Sequence, residues 1–113
     1  MEAKIIELLT KLKTNTILFN DVISFIEQHY EHCPTAFKNG AVFNEATQNQ
    51  GSAKVFSFAR LNQLGEEDTL LLFAEHYQSV LNTPDGADHQ NIRQFMQHGW
   101  AGIRFEGEAL QPR

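Results

Sequence analysis

Seventeen consecutive residues, "PDGADHQNIRQFMQHGW" from Pro84 to Trp100, gather two aspartates, two histidines, an arginine and a tryptophan. On a helix His89 and Arg93 stand one turn apart and point the same way. A helix start adds free backbone N–H groups and a positive dipole end. That set suits a carboxylate or phosphate, with Arg93 as bidentate donor and His89 as second hydrogen-bond partner or proton shuttle. Asp88, however, stands where an N-cap belongs; it would satisfy the same amides and repel the same anion. The balance therefore favours a structural Arg93, paired with Asp85, Asp88 or a loop carbonyl. Asp85 and Asp88, three apart, could form an acid/base or metal pair, yet turn and cap chemistry already accounts for both.

Two further groups of residues carry potential chemistry. In "FNEATQNQGSAK", Phe43 to Lys54, Gly51 and Ser52 precede a helix start and Lys54 falls in its first turn, as in a phosphate cradle. The spacing G-x-x-x-x-G-K is absent, so Ser52 reads as an ordinary cap. Asn44, Gln48 and Asn49 can hydrogen-bond a ligand, but such side chains also close loops on their own backbone. In "HYEHC", His29 and Cys33 share a helix face, and His76 or His89 would complete a four-ligand zinc set. With no second cysteine and no paired histidine spacing, neither metal nor cofactor is assigned. No nucleophile elbow of the form G-x-S-x-G is present.

The elements that must position these residues follow from periodicity. Ile5, Leu8, Leu9 and Leu12 make an amphipathic first helix. Asn20 reads as the N-cap of a second, with Val22, Ile23, Ile26 and Tyr30 inward and Pro34 as its limit. Residues 33–51 hold dense turn chemistry, with a short strand expected at Ala41 to Phe43. Ser52 caps a third helix to about Leu64, with Val55, Phe58, Ala59 and Leu61 inward and Gly65 stopping it. A fourth, Thr69 to about Asn82, is apolar over most of its circumference and belongs in the middle of a bundle. Asp88 caps a fifth, packed through Ile92, Phe95 and Met96 and stopped at Gly99. Ile103 and Phe105 then alternate with Arg104 and Glu106, a strand expected to pair with 41–43. The expected fold class is mainly α: one compact helical domain over residues 1–113, of about five helices, with one short two-stranded β element around 41–43 and 102–106.

Composition narrows the functions. A chain of 113 residues supports one core, and its nine phenylalanines are expected to carry much of the packing. Nine basic against fourteen acidic side chains give a net charge of -5 without a basic cluster, which argues against nucleic acid as a partner. Nothing reads as a membrane span or a secretory signal. Cys33 is the only cysteine, so a reducing, cytoplasmic location is the simpler expectation.

The segments "FNDVISFIEQHY", "PTAFKNGAVFNEATQNQGSAKVFSFARL", "TLLLFAEHY" and "PDGADHQNIRQFMQHGWAGIRFEGEAL" resemble the HopJ family of type III effectors. The likeness runs from about residue 19 to residue 110. It is most specific in "PTAFKNG", in "NQGS" followed by Lys54, and in "DHQNIRQFM" followed by Gly99 and Trp100. The resemblance implies type III secretion into a host cell as an alternative destination; it brings no enzymatic activity with it. The leading expectation is a module that binds a protein partner or small polar ligand, on the surface shared by the Asn44–Lys54 loop and the Asp85–Arg93 turn. The rival is an enzyme or metal protein using His89 and Arg93 with Asp85 or Asp88. A cleft joining the two segments would favour a ligand or catalysis, and a flat face with an exposed aromatic a protein partner.

Overall fold

The first helix, α1 (Glu2–Lys13), turns Ile5, Leu8, Leu9 and Leu12 inward, as their spacing requires. The computed structural model describes residues 2–113. Helix α2 (Phe19–His29) begins before the expected Asn20 cap, with Leu18 at the N-cap. The Leu18 amide donates to Asp21 Oδ2 at 2.9 Å, and the Phe19 amide to Glu75 Oε1 at 2.7 Å. A carboxylate at the third helical position and one from a distant helix thus satisfy the first amides, and Asn20 has no capping role. Tyr30 leaves the helix in extended conformation. It opens β1 (Tyr30–His32), which pairs antiparallel with β5 (Leu110–Pro112). The chain is therefore extended well before Pro34.

Strands β2 (Phe37–Asn39) and β3 (Val42–Asn44) form a hairpin, and β4 (Ile103–Phe105) pairs with β2, not with the 41–43 segment. The expected two-stranded element is thus a three-stranded sheet, β3-β2-β4, beside a separate β1-β5 ribbon. The central strand escaped notice because one of its two inward residues is polar: Phe37 and Asn39 are both fully buried, with Lys38 exposed between them. Asn39-Gly40 does turn the chain, Gly40 taking φ +58°.

Helix α3 (Gln50–Leu61) starts from Asn49 in the left-handed conformation, so Ser52 lies inside the helix and is not its cap. Gln63, at φ 57°, makes the left-handed exit expected of Gly65, which instead opens the next helix. Leu61, expected inward, is exposed. The single helix expected over 69–82 is two: α4 (Glu66–Leu71) and α5 (Glu75–Asn82), broken at Ala74 with φ 51° and ψ −122°. A continuous helix greasy all round needs a partner on every side. The break instead drops Leu72 and Phe73 into the core and frees Glu75 to cap α2. Helix α6 (Gln90–His98) ends at Gly99 and passes through a 3-10 turn (Gly99–Gly102) into β4. Its Met96, expected to pack, is exposed. The described residues thus hold six α-helices where about five were expected, and the mainly α class stands.

One buried cluster runs from Ile5 to Leu110. Phe56 lies at its aromatic centre, with ring centroids 6.1 Å from Phe37, 5.4 Å from Phe73, 5.0 Å from Phe95 and 6.3 Å from Trp100. Trp100 closes the end of α6, its indole N–H donating to the Leu64 carbonyl at 3.3 Å. No helix among the described residues is long and apolar enough to cross a membrane.

Candidate functional site

A cleft of about 360 Å³ joins the two polar segments of the sequence. The start of α3 contributes Asn49, Gly51 and Ser52; the start of α6 contributes His89, Gln90 and Asn91; α5 contributes His76. Phe19, Val42, Phe73 and Ile92 supply apolar wall. A larger groove of about 500 Å³ runs between α1 and α2. Its polar lining, including Lys4, Glu7 and Lys11, is surface side chain, so the smaller cleft is the better chemical site.

Both helices point their N-termini at this cleft from left-handed N-cap residues, Asn49 and His89, each at φ 50°, and neither cap side chain bonds the first turn. The first amides of α3 and α6 accordingly have no side-chain cap, whereas the Ile92 and Ala53 amides already donate to the carbonyls of His89 and Asn49. His76 and His89 face one another with ring centroids 5.1 Å apart, and the His76 and Phe19 rings meet edge to face with centroids 4.9 Å apart. Gly51 lies against the Phe19 ring, where an added Cβ would stand 3.5 Å from two ring atoms. The result is a half-apolar, half-polar concavity with two imidazoles and two positive helix ends.

Asp88 is exposed and does not cap α6; that place is taken by His89. Its carboxylate is occupied elsewhere: Asp88 Oδ1 accepts from Arg93 Nη2 at 2.7 Å. This charged hydrogen bond, ahead of every other influence, holds the Asp88 carboxyl below its usual range. The repulsion expected from an aspartate cap is weakened accordingly, since its charge is balanced by Arg93. Asp88 Oδ2 still lies 4.0 Å from His89 Nε2.

Arg93 is spent on its own turn. Nε donates to the Asp88 carbonyl at 2.6 Å, Nη1 to the Thr83 carbonyl at 2.8 Å, and Nη2 to Thr83 Oγ1 at 3.1 Å as well as to Asp88. It fastens the 83–88 turn to α6 and has no fork left for a ligand. Asp85 is exposed on that turn, outside the cleft.

Among the other candidates, Asn44 is fully buried and cannot meet a ligand. Its Oδ1 accepts from Asn91 Nδ2 at 3.0 Å and Asn49 Nδ2 at 2.8 Å, and its own Nδ2 donates to Asn91 Oδ1 at 3.1 Å. Asn39 joins through Nδ2, donating to the Asn91 carbonyl and to Asn91 Oδ1. This asparagine knot pins the hairpin, the start of α3 and the start of α6 together, and so sets the two cleft-lining segments against each other. Asn39 Oδ1 is its one buried atom without a partner among the described residues. Lys54 faces α2, its Nζ 2.7 Å from Glu27 Oε2, and contributes nothing to the cleft.

The "HYEHC" set is split by the end of α2. His29 packs on Phe25, His32 Nε2–H donates to Gln50 Oε1 at 3.2 Å, and Cys33 is exposed. Among the described residues no group of three or more His, Cys, Asp or Glu is placed to hold a metal ion.

Sequence reasoning passed over Asn39, Asn91 and the His76–His89 pairing. Asn91 shares a helix face with Phe95, four positions on, a signal that marks it as inward. Nothing local announces the meeting of His76 with His89.

No curated protein matches the chain. A solved crystal structure, described as that of a protein of unknown function, VPA0580, is 43% identical; the match covers 95% of this chain and 92% of that one, with a TM-score of 0.87. The family described as HopJ type III effector protein matches residues 5–110. With nearly its whole length so matched, and with the asparagine knot and the cleft both inside that span, the chain belongs to the HopJ type III effector family.

Proposed function

We propose that the protein is a binding module for a small anionic ligand with an apolar or aromatic body, held in the cleft between the starts of α3 and α6. The single observation carrying this reading is the convergence of two uncapped helix N-termini and two facing histidines on one half-apolar concavity. The anionic group would lie toward the amides of Gly51, Ser52, Gln90 and Asn91, with His76 or His89 as a further donor; the apolar body would lie on Phe19 and Phe73. A catalytic part for Arg93 finds no support, since its donors are already committed.

Benzoate, a minimal probe with both features, tests the reading in an amide-resolved NMR titration. Saturable shifts are expected at Gly51, Ser52, Gln90 and Asn91, lost in the double variant His76→Ala/His89→Ala and kept in Lys54→Ala. Shifts confined to other surfaces, or unchanged in the double variant, would refute it. A mass spectrum of molecules retained through native purification would then name the physiological ligand class.

We also propose residence in the cytoplasm, supported by a single, exposed cysteine. A reporter fused to residues 1–30 is expected to stay in the cell under conditions that induce type III secretion; its export would overturn this.

A further inference from the structure

Three of the four arginines are spent inside the molecule: Arg60 donates to the Ile103 carbonyl, Arg93 to Asp88 and Thr83, and Arg113 to the Glu27 carbonyl. The Arg104 side chain makes no hydrogen bond or ion pair among the described residues. It stands directly across the strand pair from Lys38, which has none either. Like charges directly opposite one another on a sheet destabilise it. In a chain with fourteen acidic residues, an unrelieved pair of cations is a conspicuous choice.

The pair does not stand on a flat face. Lys38 and Arg104 line a concavity of about 660 Å³ together with His98, Gly40, Ala41, Ala101 and Gly102. The glycines make it by close approach. A Cβ on Gly102 would lie 2.9 Å from that of His98, and a Cβ on Gly40 2.5 Å from His98 Cδ2. The hairpin turn and the 3-10 turn are further tied by the Gly40 amide donating to the Gly102 carbonyl at 2.9 Å. His98 is thus held at the rim, at the opposite end of α6 from the first cleft, about 13 Å along the helix axis.

We propose that Lys38, Arg104 and His98 form a second, separate site that binds a phosphoryl group. Two adjacent cations call for a ligand charge near −2, which a phosphate or phosphate monoester carries at neutral pH and a single carboxylate does not. The guanidinium offers a planar fork to two oxygens, the ammonium a point charge to the third, and His98 one more donor. Two features oppose the anion. The C-terminal dipole of α6 amounts to about half a negative charge. Glu106, whose amide bonds the Ala36 carbonyl, follows Arg104 two positions along the chain, just past the end of β4, but forms no ion pair with it. Two full positive charges exceed the dipole, and Glu106 is not among the residues that line the concavity.

The test is a titration with inorganic phosphate and with glycerol phosphate at ionic strength held constant by chloride, read by NMR at Lys38, His98 and Arg104. Saturable binding with a Kd of ~1 mM or tighter is expected. A tighter constant for glycerol phosphate marks an ester as the ligand; equal constants mark the free ion. Arg104→Glu is expected to weaken phosphate at least tenfold while raising Tm, because Lys38 then faces an opposite charge. Lys38→Gln, which also relieves the repulsion, should repeat both effects. Shifts that fail to saturate, a Kd unchanged in these variants, or variants that lose stability would overturn the proposal. Because the readout residues are not those of the α3–α6 cleft, failure here leaves the benzoate result standing, and the reverse.

Discussion

At the scale of single residues, the polar side chains divide by what already engages them. Asn44 has partners on three segments and no exposure, so Asn44→Ala strands the amide groups of Asn49 and Asn91. A loss of about 2–3 kcal/mol is expected in urea unfolding, the cost of buried polar groups left unpaired. His89 is the opposite case. It occupies a left-handed position at φ 50° and makes no capping bond, a conformation that disfavours a residue with a Cβ. His89→Gly is therefore expected to keep or raise stability, by up to about 1 kcal/mol, while weakening benzoate binding. A residue whose removal stabilises the fold and costs binding is held there by function. Both behaviours were hidden in the sequence, where Asn44 reads as a loop residue and His89 as the second residue of a capped helix. Each depends on a partner, Asn91 or His76, brought in from far along the chain.

At the scale of elements, the periodic signal located the helical stretches but read α4 and α5 as one helix and missed several boundaries. The apolar stripe of α1 and the inward Ile92 and Phe95 of α6 were legible because 3.6-residue spacing is a local property. The ends depend on what else reaches the terminal amides. Glu75 starts α2 early, and Asn49 displaces Ser52 at α3. The α4–α5 break carried no local warning, since neither proline nor glycine marks it. Ala74, at φ 51° and ψ −122°, holds it against the preference of an L residue. Ala74→Gly, which would cost stability in the continuous helix, is instead expected to raise it by about 1 kcal/mol, measurable as an increase in Tm. A drop in Tm would show that the helix runs through. The β2–β4 pairing was similarly concealed: with Asn39 counted as turn, only the hairpin's second strand remained to pair with Ile103–Phe105.

For the whole molecule, the last strand closes on the end of α2 at the β1-β5 ribbon, where the Arg113 amide donates to the His29 carbonyl and Lys54 binds Glu27. Acid sensitivity is expected to begin at this seam. Burial, outweighing the hydrogen bond with Gln50, lowers the His32 pKa from its ordinary 6.5. The unfolded chain then binds the proton more readily, so the stabilising contribution is complete above about pH 6.5 and is lost as pH falls through the lower folded value. Glu27, lowered from 4.5 by the hydrogen bond and charge of Lys54, adds a contribution present above that value and lost further into acid. Unfolding free energy measured against pH should thus fall in two steps, and His32→Gln should remove the first. The sequence by itself determined the mainly α class, the inward faces of the helices and the stretches rich in polar chemistry, because these follow from spacing and composition within a few residues. The tertiary structure alone decided which polar groups are free. Arg93, Lys54 and Asn44 are consumed by neighbours, while the side chains of His76, His89, Lys38 and Arg104 make no hydrogen bond among the described residues. That division rests on hydrogen-bond partners, and several of the decisive ones lie dozens of residues away, closed together only when the core forms.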